Sequence, residues 1–149
     1  MDSCFICAKH RRISAIPGGA IISDEHCVVS HLPLVTPRGT EPRVYLGYLF
    51  VETRRHVAEL GDLTAPEAGS FGRLTALASA GLRLATGAEH VYAAVIGHGA
   101  EHLHLHLIAR YPHTPRDFWW TRVDEWPDAP RGNAVEVGQL ADRIRAALA

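Results

Sequence analysis

The sequence predicts an α+β fold, a mainly antiparallel sheet with one long helix and a C-terminal helix. Three observations lead there. Short apolar, β-branched and aromatic runs recur at 20–22, 27–30, 47–52, 91–96 and 102–110. One apolar stripe at helical spacing joins Phe71, Leu74, Leu77, Ala78, Leu82 and Ala85. A second, at Val137, Leu140, Ile144 and Leu148, closes the chain. Strands joined mostly by short turns around a single long helix favour antiparallel pairing.

The elements follow in order. The opening stretch MDSCFICAKHRR has no apolar signal core, so a cytoplasmic protein is expected. Gly18-Gly19 breaks the chain, and Asp24-Glu25 forms the turn between the first two strands. Residues 32–46 hold three prolines and a glycine and read as a long loop. The run Gly47 to Glu52 is a strand. Thr64 and Glu67 make a capping box for the long helix, Pro66 suits its first turn, and Gly87 ends it. A strand over 91–96, a Gly97-His98-Gly99 turn and a strand over His102–Arg110 come next. Asn133 caps the last helix.

The 149 residues amount to one domain, able to bury a core without metal or disulfide staples. A 47% hydrophobic and 21% charged composition excludes a disordered chain or a collagen, and no run of about 18 apolar residues exists to span a bilayer. The 15 basic and 16 acidic residues balance, which argues against a general nucleic-acid binder. Lys9 is the single lysine, a skew without functional weight.

Three cysteines cannot all pair. In a reducing compartment Cys4-x-x-Cys7 reads as half a zinc site or a redox motif. Only three residues precede Cys4, too few for the strand a redox motif would follow, so zinc is the preferred reading. Cys27, inside an apolar run, reads as a small buried hydrophobe. His10, His26 and His90 read as surface residues, and Trp119, Trp120 and Trp126 as packing for the C-terminal segment.

Histidine is abundant, and three of the ten alternate in His102-Leu103-His104-Leu105-His106. On a strand such residues share one face, with the leucines on the other. Three imidazoles are costly to bury without partners, so that face meets water, a metal or an anion. Two chemistries suit it: metal ligation by several imidazoles, or phosphoryl chemistry in which one imidazole attacks phosphorus and its neighbours hold the oxygens. Residue types alone leave both open.

H-x-H-x-H followed by two apolar residues is the signature of the histidine triad (HIT) nucleotide hydrolases and transferases, and this sequence resembles that family over roughly residues 4–110. Leu49 to His56, then Leu60 to Thr64, look like the family's strand, "R-H" and helix-opening segment. Cys4-Phe5-Ile6-Cys7 looks like its zinc-bearing branch. Residues 111–132 resemble a subset of bacterial members described as dinucleoside polyphosphate hydrolases. The resemblance implies one HIT-like domain over 1–149, with a core at 1–110 and an extension and helix at 111–149.

It also implies roles. His104 would attack the α-phosphorus of a phosphoanhydride or phosphoramidate, giving a nucleotidyl-histidine that water hydrolyses. His106 would bind the phosphate or leaving group. Cys4, Cys7, His56 and His102 would hold a structural zinc. Glutamine and serine, which many members carry just before the triad, are replaced by His98 and Gly99, which would face the phosphates. Family members bind ribose through an acidic residue after the second strand, and here His31 stands near that place, with the ribose contact left unassigned. A homodimer with a nucleotide substrate, and neither nucleic acid nor membrane as partner, follows. Nucleotidyl transfer or phosphorolysis, nucleotide binding without turnover, and a catalytic metal on the three histidines are the alternatives.

Overall fold

In the computed structural model, residues 3–36 and 38–149 are described. Met1 and Asp2 of the opening stretch and Pro37 of the 32–46 loop lie outside them. The chain runs α1 (Phe5–Arg11), β1 (Ile22–Ser23), β2 (Cys27–His31), β3 (Val35–Thr36), β4 (Gly39–Thr40), β5 (Val44–Tyr45), β6 (Tyr48–Thr53), α2 (Ala65–Thr86), β7 (His90–Val95), β8 (His104–Arg110), β9 (Arg131–Gly132) and α3 (Ala134–Leu148). Five strands form one antiparallel sheet in the order β1-β2-β6-β8-β7. Among the described residues no helix is long and apolar enough to cross a membrane.

The helix ends follow their sequence signals. Thr64 and Glu67 exchange bonds in a capping box, and Gly87 is left-handed at φ 69°. Asn133 and Glu136 do the same for α3. Helix α2 covers one face of the sheet, and α3 packs against α2. Phe71, Leu74, Ala78 and Leu82 meet Val29, Leu49, Val51, Leu107 and Ala109, with Leu140 and Ile144 beside them. Leu77 departs from the expected stripe and is 38% exposed. It sits one residue from Ala78, which turns it about 100° away from the core.

Four other expectations are corrected. Residues 32–46 are not a plain loop, because β3 and β4 pair as a hairpin and β5 pairs with β9 of the C-terminal extension. The last long strand begins at His104, so His102 lies ahead of it. Helix α1, absent from the sequence reading, starts at the C-x-x-C, where the Cys4 sulfur accepts from the Cys7 N–H at 3.4 Å. His10 is not a surface residue. Its Nε2 donates to Glu52 Oε2 at 2.7 Å.

Those last two corrections share a cause. Directly opposed residues of paired strands present side chains to one face. Glu52 opposes His104, Phe50 opposes His106 and Tyr48 opposes Ile108, so Glu52 lies on the face away from α2. There α1 covers it. The Lys9 ammonium lies 2.5 Å from Oε1, and Glu52 is 1% exposed. Burial alone pushes the Glu52 carboxyl up, but the Lys9 charge and the His10 hydrogen bond more than offset it and hold it below its ordinary value.

The extension covers the rest of that face. Val123 and Ala129 bury against Tyr45 and Ile108. The Arg110 guanidinium stacks 3.7 Å from the centre of the Trp119 ring and donates to the Tyr92 hydroxyl at 2.8 Å. Trp119 thus packs the extension onto the sheet, as expected, while Trp120 stays 48% exposed.

Two stability predictions follow from these contacts. Glu52→Ala leaves the Lys9 ammonium buried and unpaired, and should cost roughly 3–5 kcal/mol in urea unfolding. A double change, Lys9→Met with Glu52→Leu, should cost much less, and equal losses would contradict a desolvated pair. The second concerns the β1–β2 turn. Burial raises the Asp24 carboxyl, but bonds from Ser70, the Cys27 and His26 N–H groups and Arg73 outweigh it and bring it from 3.8 down to about 2. A folded value below the unfolded one means this stabilisation is complete above pH 3.8 and disappears as pH falls through about 2. Asp24→Ala should lose about 1–2 kcal/mol at neutral pH and flatten that acid limb in thermal melts. An unchanged acid limb would remove Asp24 as its source.

Candidate active site

Strand β8 carries the site because its polar residues alternate with apolar ones. Leu105 and Leu107 face the α2 core, while His104 and His106 face the other way. They open into a cavity of about 630 Å³. Its apolar walls come from α1 (Phe5, Ile6), from Leu32 and Pro33 after β2, and from Phe50. Its polar walls are Lys9 and Glu52, His98 and Gly99, Arg38 of the β3–β4 turn, and Asp124 and Arg131 of the extension. His98 and Gly99 therefore share the cavity with His104 and His106. Gly97 holds the preceding turn at φ 76°, a left-handed conformation that suits glycine.

The two imidazoles differ. His104 Nδ1 donates to the carbonyl oxygen of His102 at 2.7 Å. Its proton is thereby placed on Nδ1, and Nε2 keeps its lone pair. His106 has its Nδ1 2.6 Å from the Tyr48 hydroxyl, while its Nε2 is buried with no partner among the described residues. Burial first, and the neighbouring His104 second, push His106 down to about 4, so it is neutral at pH 7. The Phe50 ring stands edge-on to both, with centroids 5.7 Å from His104 and 4.9 Å from His106.

His102 belongs to a different group. Cys4, Cys7, His56 and His102 offer ligand atoms all within 4.8 Å of one another. His102 Nδ1 lies 3.6 Å from the Cys4 sulfur and 3.5 Å from that of Cys7, and His56 Nδ1 lies 3.4 Å from Cys7. Donors bound at about 2.3 Å (sulfur) and 2.0–2.1 Å (nitrogen) at tetrahedral angles stand roughly 3.5 Å apart, so the cluster can hold a metal ion. The other His102 nitrogen, Nε2, donates to the Thr53 carbonyl at 2.7 Å, the kind of support a ligating histidine needs. The Leu103 N–H bonded to Val57 O at 2.7 Å brings the His56 turn alongside. The three triad histidines thus divide, one into the cluster and two into the cavity.

Other residues fall outside the site. His31 is buried, with Nδ1 donating to Leu32 O at 2.9 Å and Nε2 accepting from Gly47 N–H at 3.0 Å. It holds the strand ends together and offers no ribose contact. Arg110 is committed to the Trp119 and Tyr92 rings. Sequence reasoning missed Tyr48, Lys9, Glu52, Arg38, Asp124 and Arg131. For Tyr48 and Glu52 a signal existed, since both share the Phe50 face in Tyr48-Leu49-Phe50-Val51-Glu52. The others arrive from distant elements.

No protein-family model matches the sequence, and no curated protein matches it. Solved structures do. A hypothetical histidine triad nucleotide-binding protein from Sulfolobus tokodaii aligns with TM-score 0.69 and 19% identity over 97% of this chain and 91% of its own. A histidine triad protein from Sinorhizobium meliloti gives 0.67 and 25% over 93% and 94%. A Zn-bound histidine triad family protein from Mycobacterium smegmatis gives 0.67 and 18% over 99% and 94%. The fold is that of the histidine triad proteins, and the 25% identity with the Sinorhizobium meliloti protein, together with His102 just ahead of β8 and His104 and His106 on it, supports membership of the histidine triad family.

Proposed function

We propose that the protein is a nucleotide hydrolase that cleaves a nucleotidyl phosphoanhydride or phosphoramidate bond at the α-phosphorus, with His104 as nucleophile. The observation that carries this reading is the His104 Nδ1 bond to the His102 carbonyl, which leaves the Nε2 lone pair for the cavity. A neutral imidazole is a good nucleophile and, once protonated, a good leaving group. His104 Nε2 forms a bond to phosphorus as the bond to the departing oxygen or nitrogen breaks, and that atom leaves with the electron pair. Water then attacks the same phosphorus, the P–N bond breaks, and a nucleoside monophosphate leaves. Two displacements replace one, each with a lower barrier.

The cavity supports the substrate class. His98, Arg38 and Arg131 supply cations or donors for phosphate, and Phe5, Ile6, Leu32 and Pro33 an apolar surface for a base. In this reading His106 and the Gly99 N–H contact the phosphates. The Sulfolobus tokodaii relative is described as nucleotide-binding, which agrees with it.

A structural zinc on Cys4, Cys7, His56 and His102 belongs to the same proposal. Bound there, a four-coordinate zinc lacks an open position and contributes folding energy rather than activated water. It would tie the start of α1 to the residue that orients His104. The donor spacing supports it, and the Mycobacterium smegmatis relative is a Zn-bound protein.

His104→Ala should lower turnover of a dinucleoside polyphosphate or nucleoside phosphoramidate roughly 10³-fold or more, with nucleotide affinity within a few-fold of wild type. In heavy-oxygen water the wild type should place one label on the released monophosphate. Label on the departing group alone would mean attack at a more distant phosphorus, and a folded, active His104→Ala protein would remove the nucleophile.

Elemental analysis of protein produced with zinc should find one ion per chain. The Cys4→Ser/Cys7→Ser double variant should lose it, and chelation should lower the wild-type melting temperature. Metal retained by the double variant would instead point to the triad histidines as ligands.

A further inference from the structure

Tyr48 has no part in the proposed chemistry, yet its hydroxyl lies 2.6 Å from His106 Nδ1. One proton occupies that contact, and it can sit in two ways. In one, the phenol donates to the Nδ1 lone pair and the imidazole proton is on Nε2. In the other, Nδ1–H donates to the phenol oxygen and Nε2 is a bare lone pair.

Resting on the hydrolase reading, we propose that Tyr48 is a positioning residue that donates to His106 Nδ1 and so fixes the proton of His106 on Nε2, where it serves as a hydrogen-bond donor to the phosphate of the nucleotide. Three observations favour this arrangement. Among the described residues His106 is the hydrogen-bond partner of the Tyr48 hydroxyl, so a phenol that only accepted there would leave its own proton without a protein acceptor. A phenol is the better donor and an imidazole nitrogen the better acceptor. His106 Nε2 is buried without a protein partner beside His104, whose ring centroid is 5.0 Å away. An oxygen on the phosphorus that bonds to His104 would meet it there.

The surroundings hold the geometry. Phe50 packs beside the pair, its centroid 5.5 Å from Tyr48 and 4.9 Å from His106, and resists rotation of either ring. Burial raises the Tyr48 phenol to about 12, so it keeps its proton, and His106 is neutral, so its tautomer is a real choice. The outcome is opposite tautomers on adjacent imidazoles. His104 carries its proton on Nδ1 because a backbone carbonyl accepts it, and His106 on Nε2 because a phenol donates to the other side. One ring presents an electron pair and the next a proton. The reverse tautomer would set a lone pair against phosphate oxygens.

The test reads the proton directly. Protein labelled with nitrogen-15 histidine, with the His106 signals assigned by comparison with His106→Asn, is examined by long-range proton–nitrogen correlation at pH 7. Wild type should show the Nε2–H form, and Tyr48→Phe, which keeps the ring packing, should move toward Nδ1–H. With a dinucleoside polyphosphate that the wild type turns over, Tyr48→Phe should lower kcat about tenfold or more and change KM less than twofold. Wild-type His106 in the Nδ1–H form overturns the proposal. So does a Tyr48→Phe protein whose tautomer shifts while kcat stays within twofold, or whose tautomer does not shift. If the wild type turns over no nucleotide, the hydrolase reading fails by itself, and the tautomer measurement still decides whether Tyr48 fixes the His106 proton.

Discussion

His102 uses three of its atoms for three separate contacts. Its Nε2 donates to the Thr53 carbonyl, its Nδ1 faces the sulfurs of Cys4 and Cys7, and its own carbonyl accepts the proton of His104 Nδ1. The side chain is wholly buried, so none of these contacts competes with water. A displacement of this residue would reach the cysteine cluster and the nucleophile tautomer together. The start of β8 therefore ties the N-terminal segment to the chemistry of the site.

Helix α1 depends on that connection. Its seven residues are too few to be stable as an isolated helix, so its structure comes from what it docks against. Cys4 and Cys7 hold its first turn to His56 and His102, and Lys9 and His10 hold its last turn to Glu52. Glu52 opposes His104 across β6 and β8. One end of α1 is thus fixed to the segments after β6 and just ahead of β8, the other to β6 itself, and Phe5 and Ile6 become one of the cavity walls. A buried ion pair is a poor source of net stability, but it penalises every arrangement that separates the partners. Here that selects one placement of α1 over the histidines.

The opposite wall is assembled from two segments far apart in sequence. Strand β5 in the segment before β6 pairs with β9 in the extension, and the Tyr45 hydroxyl donates to Ala109 O at the end of β8. That contact brings Arg131 and Asp124 to the cavity. Arg110 is the anchor on which Trp119 lies. Polar side chains of the same strand therefore end in different roles, according to which segment covers them.

How much of this was legible in the sequence depends on the range of the interaction. The helix stripes, the Thr64 and Asn133 caps, the Gly87 stop and the alternation of β8 are local, set by backbone periodicity and by groups a few residues apart, and the sequence by itself determined them. The likeness to the histidine triad motif likewise rests on spacing within one strand. The tertiary structure alone decided that His102 leaves the strand while His104 and His106 stay on it, because the Thr53 carbonyl and the Cys4 and Cys7 sulfurs that surround it come from other parts of the chain. It decided that His10 is half-buried against Glu52 and that His31 is a core residue, since a histidine carries no mark of its future partner. It also decided the β5–β9 pair: two-residue strands have no periodicity to read, and they exist only where the fold brings their backbone groups together.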